Sequence, residues 1–93
     1  MAITKFRTAT VDSGSSATVD FGAPVINSAV SVQGFEVSYG DKDHYVRTVK
    51  VETSISSTSG STVSVSATCY MDDKSNNKAN GKVNLLVISE CES

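Results

Sequence analysis

Residues 62–71 alternate without a break between apolar and hydroxyl-bearing side chains. Val63, Val65, Ala67, Cys69 and Met71 share one parity, and Ser64, Ser66, Thr68 and Tyr70 share the other. Side chains of a strand point alternately to opposite faces, so this pattern predicts a strand with one buried face. A helix buries positions three and four apart and would leave half of these apolar residues in water. Any fold of this chain has to supply a second apolar layer for that face.

The remaining composition points the same way. Thirteen valines and four isoleucines stand against two leucines, and Ser and Thr together number twenty-five. β-Branched side chains lose rotamer freedom in helices and fit a pleated surface. Residues 3–11 and 17–21 flank the turn-forming cluster Asp12-Ser13-Gly14-Ser15-Ser16 and read as a hairpin, with Ala17, Val19 and Phe21 facing inward. Gly22-Ala23-Pro24 ends that arm, because Pro24 has no N–H for a ladder. A strand over 27–39 changes phase at Gly34: Val30 and Val32 have one parity, Phe35, Val37 and Tyr39 the other. A bulge at or beside Gly34 would bring both sets to one face; a strand that crosses between two sheets is the alternative.

Further strands are expected over 45–55, with Val49, Val51, Thr53 and Ile55 on one face, and over 82–91, with Val83, Leu85 and Val87 on one face. Leu86 and Ile88 make the other face of the last strand apolar too, as in a central strand or a subunit contact. Polar turns are expected at 40–44 and 56–61, and a loop at 72–81 that closes with a tight reversal at Asn80-Gly81. Six or seven strands with turns between them, and no helix, predict an all-β fold, an antiparallel β-sandwich with Greek-key or jelly-roll-like connections. At 93 residues the chain reads as a single domain, residues 1–93, with a thin core.

Pairing residues 63–71 with 82–91 as a hairpin sets Met71 opposite Lys82 and Cys69 opposite Asn84. Cys91 then lies about 23 Å from Cys69 at strand rise, far beyond the roughly 7 Å between Cα atoms that a disulfide spans. Two free thiols are expected, Cys69 in the core and Cys91 exposed near the end. Two cysteines and one histidine do not make a zinc site.

The net charge is −2 and the cations are scattered from Lys5 to Lys82, so a basic stripe for nucleic acid is not expected. Residues 1–7 lack the apolar run of a signal peptide, and no stretch approaches the roughly 18 apolar residues of a membrane span. The expected location is cytoplasmic or virion-associated, with no membrane partner.

The sole histidine, His44, lies in Asp41-Lys42-Asp43-His44-Tyr45. Without a Gly-x-Ser-x-Gly nucleophile elbow the chain is read as a non-enzyme. His44 is then either a turn residue whose ring ties down a strand end or loop, or a ligand contact. In the second case Asp41, Asp43, His44 and Tyr45 form the candidate ligand-binding set, since sugars stack on aromatic rings and bond to Asp and His. Tyr39 and Tyr70 are further exposed-aromatic candidates. No cofactor is expected, although oxygen-rich loops can bind calcium. The candidate metal residues are Asp72, Asp73 and Asn76, in a loop that also holds Asn77 and Asn80. Neither this loop nor Asp41-x-Asp43 has the spacing of a dedicated calcium motif.

From Phe21 to Glu90 the order of features resembles the H-type lectins. The residues concerned are Phe21 and Pro24-Val25 before a long strand, Arg47 leading a β-branched strand, then a Ser/Gly turn and a Val-rich strand. That resemblance implies a six-stranded β-sandwich that assembles into trimers or hexamers and binds sugars such as N-acetylgalactosamine. The Trp that the family carries near its end has no counterpart in Leu86-Val87-Ile88-Ser89-Glu90. Residues 33–39, Asp43-His44, Asp72-Asp73 and Val87-Ile88 are also similar to a set of uncharacterised bacterial and phage proteins of this size. The expectation is a homo-oligomeric binding module, with a structural role in a virion or at a surface as the alternative. Self-association would cover open sheet edges and bury Leu86 or Ile88.

Overall fold

The computed structural model describes residues 2–39 and 44–93. Among the described residues seven strands run β1 (Ala2–Asp12), β2 (Ser16–Asp20), β3 (Val25–Glu36), β4 (Val46–Ser59), β5 (Thr62–Asp73), β6 (Lys78–Asn80) and β7 (Lys82–Glu92). They form two antiparallel sheets, β1-β7-β3 and β2-β5-β4, with β6 added to β5. The fold is an all-β sandwich, as the alternation predicts. Among the described residues no helix is long and apolar enough to cross a membrane.

The core lies where the two cleanest alternations face each other. Val63, Val65, Ala67 and Cys69 of β5 and Val83, Leu85, Val87 and Cys91 of β7 are buried, joined by Val11, Val19 and Phe21. Each fully buried Val or Leu contributes about 1.5–3 kcal/mol relative to an exposed one. The phase change in β3 is a bulge: Val32 pairs with Leu85 and Gly34 with Asn84, leaving Gln33 extra. Val30, Val32 and Phe35 therefore all stand opposite inward-facing residues of β7.

Pairing departs from the sequence reading in several places. β1 and β2 are not a hairpin: β1 pairs with β7 and β2 with β5. The turn between them steps across the layers, with Ser13 N–H bonded to the Gly81 carbonyl and Gly14 N–H to that of Ala67. A period of two shows which face a strand buries, and it is identical whether the next strand lies beside it or across from it. For the same reason β5 and β7 are not a hairpin. Met71 pairs with Ala79 of β6 rather than Lys82, and the chain then crosses to the other sheet at Gly81. The reversal expected at Asn80-Gly81 occurs earlier, around Asn76, whose φ is 64°. Gly81 is required for another reason. A Cβ there would collide with the Glu36 carbonyl oxygen and lie 2.8 Å from Val37 Cβ and 2.9 Å from Cys69 Sγ.

The turn expected at 56–61 shrinks to the tip at Gly60, and β4 continues to Ser59. Ser56 Oγ bonds across the strands to the Ser64 carbonyl, while Thr62 Oγ1 donates to the Ser59 carbonyl across the tip. β3 ends at Glu36, short of Tyr39. Both cysteines are free, but Cys91 is buried rather than exposed, because β7 is central and Cys91 pairs with Ile3 on one side and Val25 on the other. Burial raises the Cys69 thiol above its ordinary pKa, which keeps it protonated and unreactive.

The molecule measures 54 × 18 × 16 Å. Its radius of gyration is 15.9 Å, against about 12 Å for a compact chain of this length. Sheet β1-β7-β3 stops at Lys82, while Gly81 N–H bonds to the Cys69 carbonyl. The part of β5 beyond Cys69, the first residues of β4 and all of β6 therefore extend past the opposing sheet as an arm. Val49 has the inward parity of Met71, its partner on β5, yet is 53% exposed.

Candidate functional site

The arm carries every described residue of the candidate set. Its hub is Asp73, the last residue of β5, which is 4% exposed. One carboxylate oxygen accepts the backbone N–H groups of Ser75 and Asn77, both at 2.9 Å. The other accepts the Asn77 side-chain amide at 3.1 Å and lies 2.6 Å from His44 Nδ1. Short Asp side chains close turns in this way by replacing backbone partners.

The bond with His44, helped by the Asn77 and Ser75 donors and opposed by burial, holds the Asp73 carboxyl well below the usual carboxylate range. An ionised carboxylate only accepts, so the proton in the short contact sits on His44 Nδ1. The His44 ring stacks on Tyr39, with centroids 3.8 Å apart and planes 14° from parallel. Tyr39 OH donates to the Asn77 carbonyl at 3.0 Å, and burial together with Asp73 and Asp72 raises its pKa. With its side chain only 11% exposed, His44 ties the segment before β4 to the turn after β5.

Tyr45 is 80% exposed. Its carbonyl accepts the Lys74 N–H, and Lys74 Nζ lies 5.6 Å from its ring centre. Arg47 bridges Asp72 Oδ2 at 3.3 Å and Asn76 Oδ1 at 3.2 Å, while the other Asp72 oxygen is buried with no hydrogen-bond partner among the described residues. Tyr70 is half-buried under Lys78, whose Nζ is 4.4 Å from the ring centre.

The structure thus brings His44 and Tyr45 together with Asp72, Asp73 and Asn76, residues more than twenty-five positions apart in sequence. Asp41 and Asp43 lie outside the described residues. Among the described residues no group of three His, Cys, Asp or Glu is arranged to hold a metal. Sequence reading did not place Arg47 or Lys74 at this site. Nothing local marks Arg47 as a partner of Asp72, since that contact depends on the β4–β5 register.

Comparison of the chain with protein-family models, with curated proteins and with solved structures finds no match.

Proposed function

We propose that the chain is a non-enzymatic, self-associating β-sandwich that acts as a structural assembly module. The observation that carries this reading is the exposure of large apolar residues of inward parity on β3 and β4. Val32, Phe35 and Val49 are 39%, 51% and 53% exposed, although each stands opposite an inward-facing residue of β7 or β5. A thin core gains from covering such residues with another subunit. The engagement of His44 by Asp73 and Tyr39 supports a structural rather than a catalytic use of that ring.

A second reading, oligomeric carbohydrate binding at the tip of the arm, is favoured by one feature. Tyr45 offers an open ring face beside Lys74 and close to the Arg47–Asp72–Asn76 network. Aromatic rings with polar groups at the rim suit the mixed surface of a sugar, and several weak sites on one oligomer would act together. A glycan array probed with wild type and Tyr45→Ala, with calcium and with EDTA, separates the two readings. Assembly without reproducible glycan binding is expected. Binding lost in Tyr45→Ala would select the second reading, and a strictly monomeric protein at high concentration would contradict the first.

A further inference from the structure

Among the described residues five strands lie at sheet edges, and four of them are guarded. β1 turns Lys5 and Arg7 inward, opposite Ser89 and Val87. β2 and β6, which both pair with β5 alone, are only five and three residues long. β3 is bulged twice, between Val25 and Asn27 and between Val32 and Gly34. Inward charges, short length and bulges are the devices that keep an edge from pairing with another chain. β4 pairs with β5 on one side and with no described strand on the other. Its bulges fall near its ends, so residues 48–55 form an uninterrupted, regular edge.

We propose that this edge pairs with the same edge of a second copy, antiparallel, about a two-fold axis at Val51. The sequence Val49-Lys50-Val51-Glu52-Thr53 is self-complementary in that register. Val51 meets the second copy's Val51, Val49 meets its Thr53, and Lys50 meets its Glu52 on the outer face. Directly opposite side chains of an antiparallel pair have Cβ atoms about 4.5–5.5 Å apart, within reach of an ion pair. Lys50 Nζ already lies 3.4 Å from Glu52 Oε1 of its own strand, so the dimer closes a ring of four alternating charges. The two sheets containing β4 become one continuous sheet, and Val49 gains a neighbouring strand.

The same operation fails elsewhere. A two-fold at Phe6 of β1 would set Lys5 against the second copy's Arg7. The outer face of the β1-β7-β3 sheet, where Phe6, Leu86 and Ile88 lie, carries Asp12, Glu36, Glu90 and Glu92 with Lys82 as the cation among the described residues. Stacking that face on itself brings like charges together.

This inference rests on the self-association proposed above and specifies where the copies meet. Lys50 and Glu52 are 45% and 62% exposed, so charge reversal leaves the core untouched. Sedimentation equilibrium of wild type, Lys50→Glu, Glu52→Lys and an equimolar mixture of the two variants tests it. Each variant alone should associate about tenfold or more weakly, because its pairs become repulsive. The mixture should recover wild-type association, since one variant then presents two negative charges along this edge and the other two positive ones. Variants that associate as wild type does, or association lost in Ile88→Glu but not in Lys50→Glu, would overturn this interface and leave self-association standing. Wild type that stays monomeric throughout would overturn both.

Discussion

Along the β1/β2 side of the sandwich, Lys5 Nζ donates to the Phe21 carbonyl at 3.1 Å and the Arg7 guanidinium lies 5.4 Å from the Phe21 ring centre. Phe21 itself is fully buried. Along the β3/β4 side, Phe35 and Val49 have inward parity but no such cover. Long basic side chains can shield an apolar seam with their stems while their charged ends find acceptors. The first seam is sealed within one chain. The second stays open to solvent in the single chain.

The largest expected effect compares the two phenylalanines. Phe21→Ala should lower the stability of the monomer by about 3–5 kcal/mol, the range for an aromatic removed from a core. Phe35→Ala should lower it by less than about 1 kcal/mol, because half of that side chain is already in water. Urea denaturation of dilute protein measures both. Equal losses would mean that the seams are closed alike and would remove the basis for assigning the second one to a partner.

The arm is closed by a third means, a polar network without an opposing sheet, and pH sharpens that contrast. The native Asp73 carboxyl binds a proton less readily than in the unfolded chain. Its contribution to stability is therefore complete above the ordinary carboxylate range, about pH 4, and is lost as pH falls toward the depressed native value. Asp73→Asn should weaken the fold modestly near neutral pH and flatten the decline of the urea midpoint under acid. Parallel declines in wild type and variant would show that the network is not the source.

The buried rows were legible because they are periodic. Val63, Val65, Ala67 and Cys69, and likewise Val83, Leu85 and Val87, announce their inward face by spacing alone. The Gln33 bulge was legible because it breaks that parity at a glycine. Which sheet each strand joins was not. Gly14 and Gly81 look like hairpin residues, yet both sit where the chain passes between layers, and only the close approach of Glu36, Val37 and Cys69 distinguishes Gly81. At the arm, His44 and Tyr45 stand out as residue types, but that the His44 ring is packed depends on Asp73, 29 positions further on, and on stacking with Tyr39. The charge symmetry about Val51 is plain in the sequence once β4 is known to be an edge, and means nothing before that.

Hydrogen exchange followed residue by residue at low and high protein concentration tests the central claim most directly, that the open seam is where copies meet. Amides in 48–54 whose N–H groups point away from β5 should gain protection as concentration rises, while those on the outer edge of β1 should not change. Protection that is independent of concentration along β4, or that grows along β1 instead, would contradict it.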